Sequence, residues 1–351
     1  MFGVRISEKM MCAARTFLQL FTLCCIIAAC AAQPNATDGA TGGTTGVRAC
    51  KCMEYWDCVS SGGSPYAYCQ YSTKVCCFVD PRARAVGILP KAPKIDNCGR
   101  KGVENRRDGV SQAGEWPWHV AILEKQNDIY VCGAALVDEY WVLTAAHCVD
   151  DYSSDPRPLK LRLGEHDVQT QTEPFPYEER DVSHVVLHPA FDNTSLTHDI
   201  ALVQVATPAK RRPNINTVCM PERGLTKLML EDKAARCFIT GWGKQREGGG
   251  HATVLKEIRV PLWKNKDCEF ALRRHFGAQF KLSDSSLCAG EAGRDACDGD
   301  GGGPLVCERN TIWYQVGVVS FGVGCGRRDM PGVYSRVEDY RDWIHQVILN
   351  S

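Results

Sequence analysis

Gly299-Asp300-Gly301-Gly302-Gly303-Pro304 is the stretch on which the reading of this chain turns, together with two motifs upstream of it. Thr144-Ala-Ala-His147-Cys148 closes one apolar run, and Asp199-Ile-Ala-Leu202 opens another. A histidine, a carboxylate and a tight glycine-rich turn are the parts from which a base, its orienting group and a nucleophile's loop are built. The turn carries no hydroxyl or thiol, because position 301 is glycine. Three consecutive glycines also make it entropically costly to order. Around these motifs run short apolar or alternating segments separated by turn residues: WHVAIL from 118, AALVDEYWVLTA from 134, LKLRLG from 159, VSHVVL from 182, DIALVQV from 199, TVLKEIRVPL from 253 and WYQVGVVSF from 313. That pattern predicts an all-β barrel or sandwich, not βαβ units. Only the C-terminus reads as a helix, with Tyr340, Trp343, Ile344, Val347 and Ile348 at helical spacing.

Composition sets the surroundings. At 351 residues the chain has room for two domains, and 41 basic residues balance 41 acidic ones. Zero net charge offers no electrostatic case for nucleic acid or an anionic membrane. Twenty cysteines are far above ordinary usage. No Cys-x-x-Cys pair faces a second pair or a His-x-x-x-His, so disulfides in an oxidising compartment explain them better than zinc. Arg5, Lys9 and Arg15 precede the apolar run Phe17–Ala32, which is short for a membrane span and ends in small residues. A cleaved signal peptide over 1–32 is expected, with a signal anchor as the alternative. Cys12, Cys24, Cys25 and Cys30 leave with it, and the sixteen that remain are an even number. Asn35-Ala-Thr and Asn193-Thr-Ser are glycosylation sequons on the same extracellular route.

Residues 33–49 are small, polar and Gly/Thr-rich, a flexible tether. Cys50, Cys52, Cys58, Cys69, Cys76 and Cys77 then crowd into 50–77, a span too short to fold without bridges. Spacing alone leaves fifteen connectivities open. Residues 78–97 hold three prolines and the exposed bases Arg82, Arg84, Lys91 and Lys94, an extended linker with candidate cleavage sites.

The three motifs, in order across residues 98–351, resemble the chymotrypsin- or trypsin-like serine protease family. The resemblance implies two six-stranded antiparallel barrels with the site in the cleft between them, preceded by the small disulfide-rich module. That module resembles a clip domain of arthropod extracellular cascades. It implies the pairs Cys50–Cys76, Cys52–Cys69 and Cys58–Cys77, with Cys50 and Cys52 closer together than in many such modules. In 98–351 the family's bridges imply Cys132–Cys148, Cys237–Cys307, Cys268–Cys288 and Cys297–Cys325. Cys98–Cys219 then tethers the segment before the barrels. A cut after Cys98 leaves the clip part attached, whereas a cut in 78–97 releases it.

The same resemblance places Asp295 at the floor of the primary pocket, with Gly322 and Gly332 leaving its walls open. A carboxylate there pairs with arginine or lysine. Gly299 and Asp300 fall in the oxyanion loop. His147 and Asp199 are the remnant of the triad, and Gly301 stands where the family has serine. Loss of that serine costs roughly 10⁶-fold in rate. Active relatives also free an Ile-Val-Gly-Gly terminus whose ammonium pairs with the aspartate before the nucleophile, here Asp300. This chain has Asn105-Arg106-Arg107-Asp108 there, and cationic side chains resist an apolar pocket. Restoring serine at 301 is therefore expected to yield little activity. Gly164-Glu-His-Asp167, with Glu173, Glu178 and Glu179, is similar to the start of the family's calcium loop, although Pro174 and Pro176 alter it. No metal is assigned, and a solvated acidic loop is the preferred reading.

The functional expectation is a secreted, non-catalytic homologue in haemolymph. It would serve as cofactor or regulator of prophenoloxidase activation and melanisation, with cascade proteases and prophenoloxidase as partners. Processing in trans is expected at Arg82, Arg84, Lys94, or the Arg100-Lys101 and Arg106-Arg107 pairs. The alternatives are an active trypsin-like endopeptidase and a protein that recognises microbial surfaces.

Overall fold

The computed structural model describes residues 51–54, 57–58, 61, 63–68, 74–78, 97–103, 109–170, 172–232 and 234–350. The expected leader, the tether and nearly all of the linker lie outside these, as do Asn35, Arg82, Arg84 and Arg107. The chain divides into two compact units, Met1–Lys91 and Ala92–Ser351.

In the first unit, β1 (Lys51–Met53), β2 (Ser64–Tyr68) and β3 (Val75–Phe78) form an antiparallel sheet ordered β1-β3-β2. Cys58 and Cys77 are joined and bury with Val75 against Met53. Among the described residues so small an apolar cluster cannot hold a sheet by burial alone, and the bridge adds a constraint. Cys52 is disulfide-bonded, while Cys50 and Cys69 lie outside the described residues.

In the second unit, β4 (His119–Glu124), β5 (Ile129–Leu136), β6 (Trp141–Thr144), β7 (Leu159–Leu163), β8 (Glu178–Leu187) and β9 (Ala201–Val205) close a six-stranded barrel. Its order is β4-β5-β6-β9-β8-β7. β7 shows the cause plainly, since Leu159, Leu161 and Leu163 point inward while Lys160 and Arg162 stay partly exposed.

The second sheet contains β10 (Cys237–Gly241), β11 (Lys256–Arg259), β12 (Leu262–Trp263), β13 (Ser286–Ala289), β14 (Pro304–Arg309), β15 (Ile312–Phe321) and β16 (Gly332–Arg336). Its order is β11-β10-β14-β15-β16-β13-β12. Seven strands pair here instead of six because Pro261, which has no N–H, splits one pass of the chain into β11 and β12. Those two are the edges of the sheet, so it curls back on itself through a single bent segment. Residues of both sheets, including Leu143, Leu202, Val306 and Val318, share one apolar core.

Helices are more numerous than expected. α1 (Leu225–Glu231) and α2 (Asn265–Phe276) precede the C-terminal α3 (Arg341–Leu349). α2 escapes a reading tuned to β patterns because its face is narrow, with only Cys268, Ala271 and Leu272 buried at i, i+3 and i+4. α3 docks through Ile344, with Trp343, Val347 and Ile348 against the core.

Candidate functional site

β6 ends at Thr144, and the chain enters a single tight helical turn, Ala146–Cys148. Cys148 is bridged to Cys132 on β5, which fixes the turn from below. His147 therefore projects from a rigid support with its side chain 28 % exposed. Asp199, fully buried just before β9, faces it: His147 Nδ1 lies 2.7 Å from Asp199 Oδ2, and the His147 amide donates to Oδ1 at 2.9 Å. Ser320 Oγ donates to Asp199 Oδ2, and Ser335 Oγ donates to the Asp199 carbonyl. Burial alone would lower the His147 pKa, but the bond to Asp199 and the charges of Asp199 and Asp150 raise it on balance. The pair is a base held by an oriented carboxylate.

The glycine loop lies opposite. A Cβ built at Gly301 would stand 3.5 Å from His147 Nε2, with no closer neighbour. Gly301 is not in the left-handed region, whereas Gly299 (φ 91°) and Gly302 (φ 73°) are. Glycine is thus required at 302, where a Cβ would also strike Thr144 Oγ1 at 2.3 Å, but not at 301. The loop is held despite its composition. Gly133 N–H donates to Gly301 O, Gly302 N–H to Val319 O, and Val319 N–H to Gly303 O, at 2.8–2.9 Å. The His147–Asp199 pair is in place, and the loop position beside it, Gly301, carries no side chain.

Asp295 sits 9 % exposed between Gly290, Gly332 and the Ala296 and Gly326 amides, both of which donate to it. Burial pushes its pKa up to about 7; the bonds from Ala296, Gly326 and Gly332 oppose that, and the Asp300 charge adds to it. Among the described residues no lysine or arginine pairs with it. A side chain at Gly332 would meet its carboxylate at 2.8 Å, so glycine there keeps the acid reachable. Gly322 faces open space, with its nearest neighbours 3.7 Å or more away. Beside it lies a groove of about 950 Å³ bordered by Leu196, Thr197, Phe276, Phe280 and Phe321. Sequence reading missed that groove because its aromatic wall comes from α2 and the segment after it.

A family model described as Trypsin matches residues 108–344. The chain belongs to the trypsin family. Among its relatives, Phenoloxidase-activating factor 2 of Galleria mellonella is 41 % identical over 256 residues, covering 68 % of this chain and 82 % of that protein. Inactive CLIP domain-containing serine protease A3 of Aedes aegypti is 39 % identical over 246 residues, covering 68 % of this chain and 50 % of that one. Coagulation factor XI of Bos taurus is 33 % identical over 266 residues, 74 % of this chain and 40 % of that one.

In this trypsin-family unit Cys98–Cys219, Cys132–Cys148, Cys237–Cys307, Cys268–Cys288 and Cys297–Cys325 are all joined. The segment behind Cys98 is pinned more firmly than its sequence suggests. Lys101 Nζ lies 2.7 Å from Glu115 and 4.3 Å above the Trp116 ring, with its side chain only 7 % exposed. The Gly102 amide donates to the Glu115 carbonyl at 2.9 Å. Cleavage after Lys101 would require pulling a caged ammonium out of an aromatic box, whereas Arg100 beside it is exposed. Glu178 pairs with Arg180 and Arg212, Glu179 with Lys160 and Arg162, and Glu165 with Arg162. Asn193 is exposed and lies next to the groove's edge.

Proposed function

We propose that this chain is a secreted, non-catalytic member of the trypsin family with an N-terminal clip module, acting as a cofactor in an extracellular proteolytic cascade of the phenoloxidase-activating kind. The observation that carries this is Gly301: an ordered base, a fixed loop and an open pocket surround a position with nothing to attack a carbonyl. His147 cannot replace the nucleophile, because it only accepts the proton a nucleophile gives up. The names of the Galleria and Aedes relatives support both the cascade and the loss of activity. What the fold keeps is a recognition surface. Asp295, buried and without a cation partner, takes a lysine or arginine side chain of a partner protein, and the aromatic groove beside Gly322 receives the neighbouring residues.

The test is direct. The full-length protein, before and after trypsin processing and removal of the trypsin, is expected to show no turnover of an arginine p-nitroanilide. Reconstituting prophenoloxidase with its activating protease, with and without this chain, is expected to raise phenoloxidase activity only in its presence. Turnover that is abolished by a serine-directed phosphonate would instead make it an endopeptidase.

A further inference from the structure

Asp300 is 1 % exposed, and Asn105-Arg106-Arg107-Asp108, which stand where active relatives carry the activating Ile-Val-Gly-Gly segment, have no terminus to offer it in the uncut chain. Yet Asp300 is not unpaired. Lys256, itself 5 % exposed on β11, places Nζ 2.9 Å from Asp300 Oδ2 and 3.1 Å from the Lys244 carbonyl. The Gly243 amide donates to Asp300 Oδ1 at 2.8 Å, and the Cys297 amide to Oδ2 at 3.0 Å. The carboxylate fits only because glycine occupies 241 and 243, where a Cβ would lie 2.2 and 2.5 Å from it. The other nearby base is engaged elsewhere: His119 Nδ1 meets Thr240 Oγ1 at 2.8 Å, and its ring packs on Trp242.

We infer that Lys256 is a built-in substitute for the cleavage-generated ammonium, a positioning residue that holds Asp300 and so keeps the Asp295 pocket open in the uncut chain. A buried carboxylate needs a cation to stay ionised and in place, and an internal lysine is present from the moment of folding. The two aspartates flank one loop: Asp300 sets the backbone of 297–303, and the Cys297–Cys325 bridge ties that backbone to the Gly326 amide that donates to Asp295. Pinning one end orders the other. Processing of this protein would then govern what its N-terminal part does, while the pocket is competent throughout. This inference rests on the pocket reading above only in its choice of ligand.

The experiment uses the full-length chain, uncut and trypsin-processed, with p-aminobenzamidine fluorescence as the pocket probe. Hydrogen exchange of the 296–303 amides reads the loop without reference to any ligand. Uncut and processed wild type are expected to bind the probe within about twofold of each other, with equal amide protection. Lys256→Met is expected to weaken binding by at least about tenfold, because apparent affinity scales with the competent fraction, and to speed exchange at 296–303. Lys256→Arg is expected to recover most of both. Should Lys256→Met fail to fold, the double variant Lys256→Met/Asp300→Asn, which leaves no buried charge, carries the same expectations. Binding or protection that appears only after processing overturns the inference, as does a Lys256→Met protein indistinguishable from wild type. If no form binds p-aminobenzamidine, the pocket reading fails. The exchange data then decide Lys256 alone: equal protection in uncut and processed wild type, lost in Lys256→Met, sustains it, and any other pattern overturns it.

Discussion

Three residues carry the chemistry that distinguishes this chain, and each makes a separate prediction. At Gly301 the backbone suits any L-residue and a side chain has room toward His147 Nε2. The sequence alone argues that serine there would achieve little for want of an activation terminus, but the Lys256–Asp300 pair alters that expectation. Gly301→Ser in the uncut chain is predicted to raise arginine p-nitroanilide hydrolysis by about 10³-fold over wild type, a partial return of the roughly 10⁶-fold a triad serine supplies. Activity staying at baseline would count against an ordered loop. At Asp300, truncation leaves the Lys256 ammonium buried without its anion. Asp300→Ala is therefore expected to destabilise by about 3–5 kcal/mol in urea unfolding.

Asp295 predicts a pH dependence. Its folded pKa, about 7, exceeds the usual 3.8. Below about pH 4 both folded and unfolded states hold the proton. Between about 4 and 7 only the folded state does, so this residue's contribution to stability falls as pH rises and levels off above 7. Asp295→Asn removes that slope. Its stability relative to wild type should climb across pH 4–7 and then flatten, measured by urea midpoints at several pH values. A constant difference would show that the carboxyl is ionised throughout.

At the scale of elements, the decisive pieces are short. The turn Ala146–Cys148, the loop 297–303 and the strap around Lys101 are each held by a bridge or by buried polar contacts more than by regular pairing. Lys101 shows how such contacts govern processing. With its ammonium against Glu115 and Trp116 and the next amide bonded to Glu115, the bond after Lys101 is expected to resist limited trypsin digestion. Mass spectrometry of the first fragments should find cuts elsewhere, and Lys101→Ala should lower the urea midpoint measurably through the lost packing and the orphaned Glu115. α2 makes the complementary point. Leu272, fully buried, anchors the helix that carries Phe276 to the groove, so Leu272→Ala is expected to cost about 2–5 kcal/mol.

At the scale of the whole molecule, disulfides decide what proteolysis does. Cys98–Cys219 spans 121 residues and fastens the strap to the unit that follows. A chain cut after Cys98 is expected to stay in one piece on a non-reducing gel and separate on a reducing one. A cut within 78–97 is expected to separate on both. Electrophoresis of processed protein under the two conditions checks this directly.

Much of this was legible from residue order. Alternating apolar runs specify strands because side chains on a strand alternate faces, and Leu159, Leu161 and Leu163 behave as that rule requires. His147, Asp199 and the glycine loop show in their chain order a resemblance to the trypsin-like family, and that resemblance, not cysteine spacing, implies the bridges. Other features had no linear signature. Lys256 and Asp300 are 44 positions apart, and Lys101 and Trp313 are far more distant still; only folding brings such charges and rings together. The split of one strand at Pro261, the narrow buried face of α2 and the pairing of Glu178 and Glu179 with arginines and lysines likewise depend on neighbours that sequence does not name. Residue order marks a β-rich, cysteine-bridged chain with no nucleophilic side chain at 301, because those properties reside in periodicity and in single residue identities. Tertiary structure alone decided that Asp300 already has its cation, because electrostatic pairing is set by distance in space and by exclusion of water, neither of which is written along the chain.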